Sequence, residues 1–200
     1  MGITGGIGAG KSALGTVFRE LGYPVFSADE IAREIVTPGS PALSEIVNIF
    51  GQRALQPDGT LDRAYLREQI ASIPSLRMRL DTITHPRIQQ RSRYLAEQAF
   101  HAGAQIVFYE APLLFEANGA HAMDKVICVH APDHVRIDRT RRRDGVTREQ
   151  AEKLLRAQLS QEEKMNRADL LVENTGDLGE LRLAAQALLK RLVTSVPDFP

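Results

Sequence analysis

Short apolar runs recur along the chain, separated by longer stretches in which apolar positions return every three or four residues. The runs are Met1–Thr4, Pro24–Ser27, Gln105–Tyr109, Lys125–His130 and Leu170–Val172. Few polar residues interrupt them, which predicts short strands of a parallel sheet covered on both faces. The stretches between predict helices over Lys11–Leu21, Ala28–Val36, Pro41–Phe50, Arg63–Ile70, Ser75–Phe100, Pro132–Arg142, Arg148–Asn166 and Asp177–Val193. Strands alternating with helices predict an α/β fold, a five-stranded parallel sheet flanked by helices and joined by right-handed crossovers.

The alternation fails between about residues 28 and 104. Helix follows helix there, with no strand-like run, and the turn signals TPGSP and QPDGT punctuate the segment. This predicts a helical insertion between the second and third strands of a single domain spanning residues 1–200. Ligands of open α/β sheets bind beyond the strands' C-terminal ends. An insertion rooted there is placed to hold a second substrate.

Composition narrows the picture. A chain of 200 residues suits one domain with such an insertion. The 25 Lys and Arg balance the 25 Asp and Glu, so no overall basic charge points to nucleic acid as a partner. No apolar run approaches the ~20 residues a membrane span needs. The start lacks the basic residues and long apolar stretch of a secretion signal. Cys128 is the one cysteine and sits in the apolar run VICV. It reads as a buried filler, and its solitude excludes an internal disulfide or a cysteine zinc site. The expectation is a cytoplasmic enzyme, a monomer with an oligomer as the alternative.

The chemistry enters at GGIGAGKS, residues 5–12, which fits G-x-x-x-x-G-K-[ST] between a strand and a helix. Such a loop wraps backbone N–H groups, here those of Gly8, Ala9 and Gly10, around phosphate oxygens at a helix N-terminus. Lys11 is placed to reach the β- and γ-phosphates, and the Ser12 hydroxyl to ligate Mg²⁺. ATP is therefore the expected co-substrate. A guanine-reading N-K-x-D is missing, since Asn174-Thr175-Gly176-Asp177 lacks the Lys. Motor ATPases usually end a strand in Asp, whereas the third strand here ends Phe108-Tyr109-Glu110. A small-molecule kinase fits the size and the insertion. A kinase with another nucleoside acceptor and a nucleotide-sensing switch are the alternatives.

A kinase acting on a hydroxyl needs a carboxylate beside it. Asp29 lies just past the second strand, where it reads either as that carboxylate or as the N-cap of the next helix. Further on, the run RIDRTRRRDG, residues 136–145, places Arg139 and Arg143 four apart on one helix face. Thr147 and Gln150 then open another helix with a capping-box pattern. This predicts an arginine-bearing lid over about residues 139–150, closing on ATP; a solvated basic face or an RNA patch is the alternative.

GITGGIGAGKS, SADEIAREIVTPGSPAL, DGTLDRAYLRE, HPRI, EAPLLFE, RTRRRDGVTREQAE and ADLLVENTGD follow one another along the chain. In this order they resemble dephospho-coenzyme A kinases over nearly the whole length. The resemblance implies a P-loop kinase core, a helical CoA-binding insertion and a lid. It also implies phosphorylation of the ribose 3′-hydroxyl of dephospho-CoA by ATP, the last step of CoA synthesis. Asp29 matches the family's catalytic carboxylate. Gly8, Ala9, Gly10, Lys11, Ser12 and Ala13 match the stretch around the ATP phosphates, Arg139 and Arg143 the lid arginines, and Asn174 a position near the adenine. His85-Pro86 reads as acceptor-side structure. Ala9, Ala13, Ser27 and Glu110 depart from the commoner family pattern. Only Met1–Thr4 precede the glycines, short against the ~5–6 residues of an ordinary strand. The expectation is an upstream start codon or a clipped central strand.

Overall fold

The computed structural model describes residues 1–194, so the last six residues of the expected domain lie outside the described residues. Five strands, β1 (Gly2–Gly5), β2 (Val25–Ser27), β3 (Phe108–Glu110), β4 (Val126–His130) and β5 (Leu170–Glu173), form one parallel sheet in the order β2-β3-β1-β4-β5. Ile3 lies opposite Glu110 on one side and Ile127 on the other. All of β1 and the first four residues of β4 are buried, which is why polarity does not alternate along them: β4 opens on Val-Ile-Cys-Val, and in β1 both Ile3 and Thr4 are fully buried.

Nine helices accompany them among the described residues: α1 (Lys11–Glu20), α2 (Ala28–Glu34), α3 (Pro41–Phe50), α4 (Arg63–Ser72), α5 (Pro74–His101), α6 (Asp133–Asp144), α7 (Arg148–Arg156), α8 (Gln161–Arg167) and α9 (Leu178–Thr194). None is long and apolar enough to cross a membrane. The chain divides into two compact units, with the boundaries at Val25/Phe26 and Ala102/Gly103. The first unit holds the phosphate loop. Its core joins Ile3, Leu14, Phe18, Phe108, Ile127 and Val129 to Leu181 and Leu188 of α9. The Phe18 and Phe108 rings stack at 4.1 Å, 7° from parallel, a geometry that adds to their burial. The second unit, Phe26–Ala102, contains α2 to α5 and has its own core of Val36, Ala42, Ile46, Phe50, Leu66 and Ile83. Its QPDGT signal is a tight turn, in which Asp58 accepts from the Thr60 N–H at 2.9 Å and Leu55 bridges Leu61.

Two elements differ from the expectation. The third strand begins at Phe108, not Gln105; Ile106 and Val107 are buried but lie before the ladder starts. The helix expected over Arg148–Asn166 is two helices. It breaks at residues 157–160 because tertiary partners take over the backbone. The Leu159 N–H donates to Glu116 Oε1 at 3.1 Å, and Ser160 caps α8 by accepting from the Glu163 N–H at 3.1 Å. Behind the break Lys164 is fully buried, its ammonium held by Glu116 Oε1 at 2.7 Å and the Pro112 carbonyl at 2.9 Å.

Candidate active site

The β1–α1 turn is the phosphate loop. Gly10 sits at φ 98°, in the left-handed region, and a Cβ there would lie 1.9 Å from Asn174 Nδ2; the loop tolerates no side chain at this point. Lys11 is buried, with Nζ 3.2 Å from the Gly6 carbonyl. The Ser12 hydroxyl donates to Glu110 Oε1 at 2.6 Å, from the end of β3. A hydroxyl and a carboxylate side by side are hard oxygen donors of the kind that divalent cations take beside nucleotide phosphates.

Asn174, just past β5, is 7% exposed, and its Nδ2 donates to the Ala9 carbonyl at 2.8 Å. Its side chain therefore shapes the loop. Arg139 donates to the Asn174 carbonyl at 2.7 Å and to that of Gly176 at 3.3 Å, fixing the segment that carries Asn174. Arg143 turns to Asp144, with bonds of 2.7 and 2.8 Å. The two arginines share a helix face but serve different partners. Gly145 ends α6 in the left-handed region, and Thr147 and Gln150 form the capping box of α7.

Sequence reasoning missed two groups on the loop. Arg136 is 4% exposed and donates from Nε to the Ile7 carbonyl at 3.0 Å. Gln158, in the α7–α8 break, accepts from the Ile7 N–H at 3.0 Å. A signal for Arg136 was present: Ile137 and Thr140, its neighbours on α6, are the least polar residues of the arginine run, and all three are buried. Gln158 carried none. Burial pushes the Cys128 thiol up to about 11, so it is inert at neutral pH.

In the second unit, Asp29 lies exposed in the first turn of α2. The N-cap is Ser27, whose hydroxyl accepts from the Glu30 N–H at 3.4 Å. Asp29 is thus not needed to cap the helix. Burial, with Arg33 and Arg67 nearby, pulls the Arg63 guanidinium below its ordinary value, and Asp29 opposes the shift. These four side chains form one charged cluster. A separate cavity of about 380 Å³ has Ile35, Pro41 and Ala42 on one wall and Arg87, Arg91 and Tyr94 on the other. Arg91 pairs with Glu34 at 2.7 Å and lies over the Tyr94 ring, while its buried Nε has no hydrogen-bond partner among the described residues. His85 faces Asp81 at 3.6 Å on α5.

Comparison with known proteins covers both units. The sequence profile of dephospho-CoA kinase matches residues 1–180. The dephospho-CoA kinase of Syntrophotalea carbinolica is 42% identical over 200 residues, covering 99% of this chain and 95% of the relative. That of Moorella thermoacetica is 40% identical, covering 100% of this chain and 95% of its own. Among solved structures, a Thermus thermophilus protein matches with a TM-score of 0.80 at 35% identity, over 96% of each chain. The Campylobacter jejuni dephospho-CoA kinase matches with a TM-score of 0.73 at 26% identity, also over 96% of each. The Acinetobacter baumannii shikimate kinase, with a TM-score of 0.52 at 18% identity, shares the fold. A phosphate loop alone would match many nucleotide enzymes, but here the likeness also runs through the helical insertion and the arginine segment, and the chain belongs to the dephospho-CoA kinase family.

Proposed function

We propose that this protein transfers the γ-phosphoryl group of ATP to the ribose 3′-hydroxyl of dephospho-CoA, giving CoA and ADP. The near-full-length identity to dephospho-CoA kinases carries this reading. Lys11 and the amides of residues 8–13 hold the β- and γ-phosphates. Ser12, with Glu110 beside it, holds Mg²⁺, which when bound neutralises phosphate charge. Asp29 orients the 3′-hydroxyl and takes its proton. The hydroxyl oxygen then bonds to the γ-phosphorus, and the bond to the ADP oxygen breaks. Arg139 and Arg143 on the lid, over about residues 139–150, offset charge on the group in transfer; Arg139 also holds the Asn174 carbonyl.

The helical segment, residues 28–104, is the CoA-binding part. Arg33, Arg63 and Arg67 cluster with Asp29 and supply cations for the acceptor's pyrophosphate, on the same nucleoside as the 3′-hydroxyl. The cavity between α5 and the α2–α3 residues, apolar with two arginines, suits the pantetheine arm. The enzyme works in the cytoplasm, as a monomer, on small molecules and without nucleic acid.

The test is a coupled ADP-release assay with dephospho-CoA, adenosine and AMP as acceptors. Turnover is expected with dephospho-CoA; none above background overturns the proposal. Slow hydrolysis indifferent to any acceptor would point instead to a nucleotide switch. Arg63→Ala is expected to raise KM for dephospho-CoA by about tenfold, the loss of one charge-assisted contact, and to leave KM for ATP unchanged. Initial rates over both substrates check this.

A further inference from the structure

We propose that Arg136 and Gln158 are positioning residues that set two successive peptide planes of the phosphate loop from outside it. Both contacts converge on Ile7: Gln158 Oε1 accepts from its N–H, and Arg136 Nε donates to its carbonyl, each at 3.0 Å. The chain contains no cis peptide bond among the described residues, and in a trans peptide the C=O and N–H point to opposite sides. Fixing one group of each plane therefore fixes the other.

Gln158 holds the N–H of the Gly6–Ile7 peptide. The Gly6 carbonyl is then turned to the opposite side, where it accepts from the Ala9 N–H at 3.1 Å and from Lys11 Nζ at 3.2 Å. Arg136 holds the carbonyl of the Ile7–Gly8 peptide, which turns the Gly8 N–H away from the guanidinium. Asn174 repeats the device on the Ala9–Gly10 peptide by holding the Ala9 carbonyl at 2.8 Å. The loop thus presents its amides because three side chains, from α6, the α7–α8 break and the end of β5, hold the opposite ends of its peptides.

The guanidinium is itself fixed. Arg136 is 4% exposed, and its Nη1 bonds Asp133 at 2.9 Å. A Cβ on Gly6 would lie 2.1 Å from Arg136 Nη2, so a side chain at residue 6 would displace the arginine. The two helices bearing the lid arginines and the capping box are in this way tied to the loop at both ends of their segment, by Arg136 before it and Gln158 after it.

The inference rests on ATP binding at the loop, one element of the proposed function, and its test needs no acceptor. MgATP binding is measured by calorimetry on the full chain, beside the thermal midpoint, for Gln158→Met, Arg136→Met and Arg136→Gln. Methionine removes the polar atom at similar length. Glutamine places its Nε2–H at the same atom position as the arginine Nε–H. The two Met variants are expected to bind MgATP about tenfold more weakly, and Arg136→Gln to recover most of that loss although it carries no charge. Wild-type affinity in both Met variants overturns the proposal, and so does an Arg136→Gln variant as weak as Arg136→Met. If Arg136→Met does not fold, Gln158→Met decides alone: wild-type affinity there, even with a lowered thermal midpoint, means the contact is only structural. Failure to phosphorylate dephospho-CoA with MgATP affinity intact would count against the acceptor assignment and not against this one.

Discussion

Asp29→Asn is expected to lower kcat by about a hundredfold or more while ATP affinity stays close to wild type. The magnitude is that of removing a positioned general base. Ser27, not Asp29, caps α2, so the helix keeps its cap. Asp29 is exposed, so no buried partner is orphaned. The variant loses a favourable charge at a helix start, about 0.3–1 kcal/mol, and the carboxylate that offsets the exposed Arg33, Arg63 and Arg67 cations. Folding and catalysis therefore separate, and a normal thermal midpoint with collapsed turnover is the expected pair of readings. Normal turnover at saturating substrates would return Asp29 to a role in starting the helix.

The largest effect on stability is expected at Glu116. Its carboxylate receives the ammonium of the fully buried Lys164 at 2.7 Å and the Leu159 N–H at 3.1 Å. Glu116→Ala leaves a buried cation with the Pro112 carbonyl as its remaining partner. Lys164 is buried but Glu116 reaches solvent, so orphaning the cation costs about 1–3 kcal/mol rather than the full figure for a buried pair, which urea unfolding would show as a lower midpoint. Burial acts to raise the Glu116 carboxyl, but the bonds from Lys164 and the backbone outweigh it and hold the group below its ordinary value of 4.5. A depressed carboxyl stabilises the fold above its unfolded pKa and loses that contribution as pH falls through the folded value. The wild type should thus lose stability as the pH drops below about 4.5. Glu116→Gln, which keeps an acceptor oxygen, should lose less than the Ala variant at pH 7 and show a flatter acid limb. Equal acid limbs in the Glu116→Gln variant and the wild type would detach Lys164 from the effect.

Those same contacts explain where the sequence stops being legible. The sheet was readable because β4 opens on the buried apolar run Val-Ile-Cys-Val, and because the short β1, Gly-Ile-Thr-Gly, runs straight into the glycine motif. The phosphate loop was readable because Gly10, Lys11 and Ser12 are neighbours in the chain. The break between α7 and α8 was not, since apolar spacing continues through residues 157–160 and its cause is a carboxylate 43 positions away. Arg136 is harder still. It stands in a run of arginines that are mostly exposed, and the contact that separates it from them spans 129 positions. Charge runs announce a surface, and in this one the less polar Ile137 and Thr140 are the sequence's one hint of which member has turned inward. Asn174 was singled out by the family resemblance alone, and its bond to Ala9 crosses 165 positions.

These separations bear on the order in which the protein is made. Synthesis runs from the N-terminus at about 5–20 residues per second, so the phosphate loop leaves the ribosome many seconds before the groups that shape it. Gln158 follows Ile7 by 151 positions and Asn174 follows Ala9 by 165. The nascent chain carries the complete glycine motif through most of its synthesis without the side chains that orient its amides. Competence to grip a nucleotide is therefore acquired near the end of translation, as β5 joins the sheet, and a chain truncated before that strand carries the motif without the grip.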